Sequence, residues 1–209
     1  MPRNFKYNTV SEALPSLMGV LLAAPMVQSR NGSTRECTMT SITITRPHQR
    51  GVTTPHRHAS LPAQIAETMW VLAGRNDVDW LSHYLPRAPQ FSDDGKVWRG
   101  GYGPRIRHWN EGRVDQLRHV VGLLREDPDT RRAVINIYDP SIDDQPGKDI
   151  PCNNWLHFLP RDGKLHLHVA TRSNDLMWGW SGINAFEWSA LLEVVAALKH
   201  LVTHPKASL

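Results

Sequence analysis

The sequence predicts an α+β fold in which an antiparallel-rich mixed sheet packs against helices. Apolar residues recur at helical spacing in four stretches of the chain, and two apolar runs joined by an Asp-Gly loop have the pattern of a β-hairpin. Hydrophobic residues make up 40% of the 209 residues, which is enough to bury a core. No repeat and no Gly/Ser linker divides the chain, so we expect a single domain over residues 1–209.

Each of the four predicted helices has an apolar face. The first covers about 10–24, and the second covers 60–73, beginning with a Ser cap and an early Pro. The third covers about 113–126. The last is a long amphipathic stretch at 183–201.

The strands are predicted from β-branched and apolar runs. One follows the turn-rich segment 29–37, another covers 133–138, and the arms of the hairpin cover 154–159 and 165–173. The stretch 86–112 is rich in Pro, Gly and Asp, and we predict a long irregular excursion there. Loops of that length in a compact domain are usually functional or mobile.

Charge and cysteine content narrow the class of protein. The net charge of +4 is mild and forms no basic tail, which favours an anionic small molecule over nucleic acid as the partner. Cys37 and Cys152 form no CxxC pair, so a reduced, cytoplasmic protein is predicted, although a disulfide between them stays open at this point. The apolar run 14–26 is too short to span a membrane.

Several polar groups stand at the ends of predicted strands or helices, where a rigid element can direct a side chain into a pocket. Each also has a purely structural interpretation, such as a solvated strand start, an inert buried thiol or a turn. These groups are Arg131 with Arg132, Pro151 with Cys152, the Arg-Ser-Asn-Asp run at 172–175, and Asn184.

Cys152 is the candidate nucleophile. Pro151 lacks a backbone donor, which places the cysteine at the edge of a strand and not within a ladder. The reactive form of a cysteine is the thiolate, and nearby positive charge favours it. Arg131, Arg132 and Arg172 are the candidates for that charge.

The chain is similar to thymidylate synthases and their hydroxymethylase relatives in seven segments that follow the family's order. The segments resemble the family's double arginine, Pro-Cys nucleophile, Arg-Ser-x-Asp stretch, buried-helix Asn, glutamate-bearing helix, phosphate loop and Tyr-Gly segment. They are RRAVINIYDP (131–140), PCNNWLHF (151–158), DGKLHLHVATRSND (162–175), GINAFEWSALLEVVA (182–196), AETMWVLAGRND (66–77), SRNGSTRE (29–36) and YGPRIRHW (102–109). The resemblance implies a thymidylate-synthase-like fold.

The resemblance also implies a reaction between a pyrimidine nucleoside monophosphate and 5,10-methylenetetrahydrofolate, with no metal. Cys152 would attack C6 of the pyrimidine, and C5 would then attack the methylene of the folate. Glu67 would act through water in the proton transfers, and Tyr102 would help to remove the C5 proton. Asn184 would read the O4/N3 edge of the base, and Asp175 would contact the pterin of the folate.

The remaining implied roles concern the phosphate. Arg30, Arg172 and Ser173 would hold the phosphate of the nucleotide in their own subunit. Arg131 and Arg132 would reach across a two-fold interface to the phosphate in the partner subunit, which implies a homodimer.

The sequence departs from the family pattern at three places near the implied site. Asn153 follows the nucleophile, where thymidylate synthases usually carry His, and one extra residue separates Asp175 from Asn184. The stretch QFSDDGKVW (90–98) replaces the tryptophan-rich segment that shields the reaction intermediate in thymidylate synthases. The chain also stops at HPKASL (204–209), so we expect it to lack the C-terminal segment of the family.

These departures bear on the product. Where water is excluded, a hydride completes a methyl group, and where water enters, the same intermediate becomes hydroxymethyl. The changed loop and the Asn after the nucleophile favour the hydroxymethylase relatives, whereas the Asn at position 184 favours uracil and methylation. Because methylation is the majority activity of the family, methylation of dUMP to dTMP is the first expectation. Hydroxymethylation of dCMP, CMP or dUMP is the alternative.

Two other classes of function stay open. One is a non-catalytic relative that binds a nucleotide or RNA, although binding alone would require neither Cys152 nor Glu67. The other is a metal site built from His166 and His168 or from the HRH run at 56–58. Nothing is spaced to complete a ligand set there, so the exposed face of a hairpin is the preferred interpretation.

Overall fold

The computed structural model describes residues 3–29 and 32–201. The helices are α1 Val10–Leu22, α2 Leu61–Leu72, α3 Val78–Ser82, α4 Tyr102–Arg107, α5 Trp109–Gly112, α6 Gln116–Glu126, α7 Pro140–Asp143 and α8 Ala185–Leu201. The strands are β1 Arg3–Tyr7, β2 Met26–Ser29, β3 Gly32–Arg35, β4 Thr40–Ile44, β5 Val134–Asn136, β6 Asn153–Arg161 and β7 Lys164–Thr171. A 3-10 turn at Ala88–Phe91 and a π-helical segment at Leu176–Asn184 are also present. The content of helices and strands is that of an α+β protein.

The first of two compact units comprises residues 1–61 and 175–189, as far as they are described. In it, β1 pairs in parallel with β4 and β2 pairs antiparallel with β3. The predicted first helix is confirmed as α1, which begins where the Thr9 hydroxyl accepts a hydrogen bond from the amide of Glu12 at 3.1 Å. The parallel pairing of β1 with β4 was not predicted.

The second unit comprises residues 62–174 and the described part of 190–209, and it contains the three-stranded antiparallel sheet β5–β6–β7. The predicted hairpin is confirmed: β6 and β7 meet at Asp162 and Gly163, whose φ angles of 54° and 69° suit a two-residue turn. The described strands thus form three small sheets, where a single mixed sheet was predicted. The four strands of the first unit are only four or five residues long, and each pairs with one partner.

The core of the second unit includes the apolar faces of α2 and α6. Both helices were predicted, and the first and last residues of each lie within three residues of the predicted bounds. Burial of a large apolar side chain contributes about 1.5–3 kcal/mol, so these faces stabilise the unit substantially. The buried apolar residues are Ala63, Ala66, Trp70 and Val71 on α2 and Leu117, Val120, Val121 and Leu124 on α6.

The stretch 86–112 is more ordered than predicted, since it contains α4 and α5 as well as the 3-10 turn. The prediction of a wholly irregular excursion is therefore wrong. The stretch shows little apolar periodicity, and its helix α4 is held by a buried ion pair. Arg105 Nη1 lies 2.6 Å from Asp143 Oδ2, and Arg105 Nη2 lies 2.7 Å from Asp143 Oδ1. Arg105 also donates to the carbonyl oxygens of Ile137 and Arg99.

The last predicted helix is confirmed as α8, and the boundary between the two units falls within it, between Ser189 and Ala190. The π-helical segment before it was not predicted. The single domain expected from the sequence stays a prediction. No described helix has the length and apolar character that a membrane span requires.

Candidate functional site

Cys152 lies directly before β6, at the start of the hairpin of the second unit. Its thiol is free and the residue is half-buried. The backbone carbonyl oxygen of Cys152 accepts a hydrogen bond from the amide of Arg172 at 2.9 Å. The position at the end of a strand, which the preceding Pro151 predicted, is confirmed.

Arg172 binds the backbone that leads into the nucleophile. Its Nε donates to the carbonyl oxygen of Pro151 and its Nη2 to that of Ile150, both at 2.9 Å. A guanidinium has five N–H donors, so further donors are left for an anion. Arg172 is exposed, as is Ser173 beside it. The sequence predicted that this cation could lie near Cys152, and the structure brings the two segments together.

Tyr102 is joined to the same segment through Asn153. Asn153 is fully buried at the start of β6, and its Nδ2 donates to the hydroxyl oxygen of Tyr102 at 2.6 Å. Tyr102 opens α4, which approaches the backbone of Arg75 so closely that a Cβ on Gly103 would lie 2.3 Å from the Arg75 carbonyl oxygen. Sequence reasoning missed the bond to Tyr102, although it marked Asn153 as a departure from the family.

Glu67 lies on α2 of the same unit and is half-buried. Desolvation by the surrounding protein raises the pKa of its carboxyl group from 4.5 to about 7. A carboxyl group with this pKa can both give and take a proton near neutral pH. This property fits the acid–base role that the resemblance implies.

Arg131 and Arg132 are exposed immediately before β5. Like Glu67, they lie outside residues 150–153, which contain Cys152. The three residues belong to the same unit.

The other predicted site residues belong to the first unit or lie outside the described residues. Asp175 caps the π-helical segment, its Oδ1 accepting from the amides of Met177 at 2.9 Å and Trp178 at 2.5 Å. Asn184 ends that segment and is 7% exposed. Arg30 lies outside the described residues.

Two of the histidines considered for a metal site, His166 and His168, are on the hairpin. His166 and His168 are exposed, and the ring of His168 lies 5.7 Å from that of His157. Desolvation and the neighbouring His157 and His166 lower the pKa of His168. Within the described ranges, no group of three or more His, Cys, Asp or Glu is arranged to hold a metal ion.

The second unit therefore brings a thiol, a guanidinium and a phenol to one segment of backbone. The thiol can add to an electron-poor carbon, the cation suits an anionic substrate, and the phenol oxygen can receive or relay a proton. Such a set suits covalent catalysis on an anionic small molecule.

Comparison with known proteins agrees with this chemistry. The chain is 39% identical over 190 residues to the deoxyuridylate hydroxymethyltransferase of Bacillus phage SP01, a match that covers 86% of this chain and 50% of the relative. It is 37% identical over 196 residues to the protein of the same description from Pseudomonas phage M6, covering 91% of this chain and 55% of that one. A putative thymidylate synthase of Methanosarcina acetivorans is 40% identical over 95 residues, covering 46% of this chain and 42% of the relative.

The chain thus spans about half the length of the curated relatives that it matches. The family model described as Thymidylate synthase matches residues 27–205, which include every predicted site residue. On the strength of this match, the chain belongs to the thymidylate synthase family.

Proposed function

We propose that this protein transfers a one-carbon unit to C5 of deoxyuridylate and leaves a hydroxymethyl group there, through a covalent bond between Cys152 and C6 of the base. The observation that carries this proposal is the segment 150–153, in which Cys152 lies next to the guanidinium-bound backbone and to the partner of Tyr102. Relatives described as deoxyuridylate hydroxymethyltransferases match 81%, 86% and 91% of the chain, which supports this product and this substrate.

The proposed chemistry begins with the thiolate. Addition of Cys152 Sγ to C6 makes C5 a carbon nucleophile, which bonds to the one-carbon unit as the first of the two bonds from that carbon to the folate nitrogens breaks. Loss of the C5 proton to Tyr102 then lets the electron pair form a double bond to that carbon, as its remaining bond to a folate nitrogen breaks. Water adds to the exocyclic carbon and loses a proton, and the thiolate leaves C6, which restores the ring. Glu67 would give and take the remaining protons through water.

The phosphate and base contacts follow the family pattern. Arg30, Arg172 and Ser173 would bind the phosphate, and Asn184 would read the base. The exposed cation of Arg172 suits this role, because charge-assisted bonds to phosphate are stronger than neutral ones. The buried position of Asn184 suits base recognition, since a buried amide left without its partner is costly.

The one-carbon unit would come from 5,10-methylenetetrahydrofolate as co-substrate. The residues at the start of the π-helical segment fit such a ligand: Asp175 is an exposed carboxylate, and Trp178 is 56% exposed. A carboxylate can accept hydrogen bonds from an amino-pterin, and an exposed indole offers a surface for stacking. Asp175 is therefore the proposed folate contact.

Three further proposals concern the domain organisation, the oligomeric state and the location of the protein. The single catalytic domain over residues 1–209 is proposed from the family. A homodimer in which Arg131 and Arg132 reach the phosphate in the partner subunit is supported by the exposure of both arginines. A cytoplasmic location is supported by two free thiols, which suit a reducing compartment.

Methylation of deoxyuridylate is the second candidate, and the match to the putative thymidylate synthases favours it. A product assay separates the two. The protein is incubated with 5,10-methylenetetrahydrofolate and dUMP, dCMP, UMP or CMP, and the nucleotides are analysed by mass spectrometry. We expect hydroxymethyl-dUMP. A methyl product with dihydrofolate would support the second candidate, and nucleotide binding without any product would contradict both.

A further inference from the structure

Asn153 is the residue directly after the proposed nucleophile, and it binds the proposed proton acceptor. Its side chain is fully buried, and its Nδ2 lies 2.6 Å from the hydroxyl oxygen of Tyr102. Asn153 thus forms a hydrogen bond to one proposed catalytic group, Tyr102, and follows the other, Cys152, in sequence. A residue in this place can set the positions of both groups.

Both ends of this hydrogen bond are rigidly placed. Asn153 is paired with Thr171 on β7, and an irregularity in the ladder lies between Asn153 and Trp155. Irregularities of this kind redirect a side chain at the end of a strand. Tyr102 is fixed by the close approach of α4 to the turn after α2.

The buried ion pair of Arg105 with Asp143 fixes α4 from its other end. The fold therefore fixes the backbone on both sides of the contact between the side chains of Asn153 and Tyr102. A bond held in this way can define the state of the phenol before substrate arrives.

The chemistry of the bond fixes its direction. The amide nitrogen of Asn153 only donates, so the oxygen of Tyr102 is the acceptor. A hydroxyl has a single hydrogen, and the hydrogen of Tyr102 must therefore be directed away from Asn153. A donor aimed at the phenol oxygen also favours the phenolate over the phenol.

We propose that Asn153 is a positioning residue that holds Tyr102 with its oxygen as a proton acceptor beside Cys152. This inference rests on the proposed function, because the role of Tyr102 at C5 belongs to it. As the C5–H bond breaks, its electron pair forms the double bond from C5 to the exocyclic carbon and the folate nitrogen leaves. The proton passes to Tyr102 Oη, and the proton that Oη carried passes to solvent water.

An amide is a suitable residue for this task because it does not titrate. An imidazole at the same position would change its hydrogen-bonding state near pH 6–7, and the orientation of Tyr102 would change with it. With Asn153, the donor to Tyr102 is the same across the physiological range. Asn153, at the position where thymidylate synthases usually carry His, would thus keep Tyr102 in one hydrogen-bonding state.

The test reads the phenol directly. The four tyrosines are labelled with ¹³C at Cζ, and the Tyr102 resonance is identified by its loss in Tyr102→Phe. We expect Tyr102 to titrate about one pH unit or more higher in Asn153→Leu and Asn153→Asp, because the donor to the phenolate is lost. The matched control is Asn154→Ala, next along β6, which should leave the Tyr102 titration unchanged. If Asn153→Leu does not fold, the near-isosteric Asn153→Asp carries the test.

A kinetic readout separates positioning from a purely structural role. Release of the C5 hydrogen should fall about 10–100-fold in kcat for Asn153→Leu, with KM for the nucleotide little changed. Asn153→His should recover part of the rate and acquire a pH dependence near pH 6–7.

An unchanged Tyr102 titration in Asn153→Leu or Asn153→Asp would overturn the proposal, as would an altered titration with full kcat. The titration requires no turnover. A failure of the proposed function would appear as absence of product in the parent protein, and it would leave the titration result standing.

Discussion

Two segments that carry candidate site residues are stabilised in different ways. Residues 150–153, the Cys152 segment, are held from distant parts of the chain: Arg172 binds two of its carbonyl oxygens and Asn153 binds Tyr102. The π-helical segment Leu176–Asn184 is shaped largely by local bonds. The amide of Trp180 reaches back five residues to the carbonyl oxygen of Asp175 at 2.7 Å, and the Ser181 hydroxyl reaches the carbonyl oxygen of Leu176 at 2.8 Å.

This difference between the two segments indicates how the chain accommodates an extra residue between Asp175 and Asn184. The sequence has one residue more than the family pattern between Asp175 and Asn184, and hydrogen bonds that span five residues accommodate an additional residue within a helical turn. Single-turn π-helical insertions of this kind occur often at functional sites. The Cys152 segment has no such local device and relies on side chains from elsewhere in its unit.

The largest expected effect concerns the buried ion pair that holds α4 near the Cys152 segment. Arg105→Met leaves Asp143 buried without its partner, and the free energy of unfolding should fall by about 3–5 kcal/mol. Chemical denaturation measures this. The double variant Arg105→Met with Asp143→Leu removes both charges and should recover most of the loss. Equal stability of the parent and the single variant would contradict the importance of the pair.

The second largest effect is expected from removing Arg172, whose guanidinium binds the backbone of the Cys152 segment. Arg172→Ala should weaken nucleotide binding by about 1.5–3 kcal/mol, because a charged hydrogen bond to phosphate is lost, and calorimetry with dUMP measures the change. Arg161→Ala is the matched control, since Arg161 lies on the hairpin and also donates to backbone carbonyl oxygens, those of Asp129 and Pro160, but is not a site residue. If both variants lose affinity for dUMP, or neither does, the assignment of Arg172 to the phosphate is contradicted.

The third effect is a pH dependence carried by Glu67. The folded protein keeps this proton up to about pH 7, whereas the unfolded chain releases it near pH 4.5, so stability falls as the pH rises through that window. Glu67→Gln lacks this loss and should gain on the order of 2 kcal/mol relative to the parent between pH 4.5 and 8. Thermal unfolding at several pH values measures the gain. Parallel curves for the parent and Glu67→Gln would rule out the raised pKa.

The smallest effect probes the local bonds of the π-helical segment. Ser181→Ala removes the buried hydroxyl that donates to Leu176, and stability should fall by about 0.5–1.5 kcal/mol. Ser82→Ala removes a comparable bond at an exposed position, to the carbonyl oxygen of Asp79, and should cost less because water replaces it. Denaturation curves of the two variants give the comparison. Equal losses would mean that the hydroxyl of Ser181 has no special part in the segment.

Much of the frame was predictable from local pattern. The hairpin follows from two alternating runs and an Asp-Gly turn, and its register pairs Asn153 with Thr171. Continued from the Arg161–Lys164 pair without a shift, the hairpin would set Asn153 opposite Arg172, and the irregularity between Asn153 and Trp155 changes this by one residue. The predicted hairpin therefore brings Arg172 close to Cys152, but the bond from the Arg172 amide to the Cys152 carbonyl oxygen could not have been derived from it. The helices α2 and α6 follow from apolar periodicity.

The rest depends on contacts that no local pattern records. Tyr102 is 51 residues from Asn153, in a stretch whose short helix α4 buries an ion pair of Arg105 beside the apolar Ile106. The raised pKa of Glu67 depends on what surrounds α2. The hydrogen bonds of the π-helical segment span five residues where those of an α-helix span four, and a search for a period of 3.6 does not detect this difference.

The central claim is that Cys152 bonds to the base, and one comparison of the two cysteines tests it most directly. Release of tritium from C5 of labelled dUMP is measured for the parent protein, Cys152→Ser and Cys37→Ser. We expect Cys152→Ser to lose more than about 10³-fold of the rate while still binding the nucleotide, and Cys37→Ser to keep it. Release from Cys152→Ser at the rate of the parent protein would contradict the account.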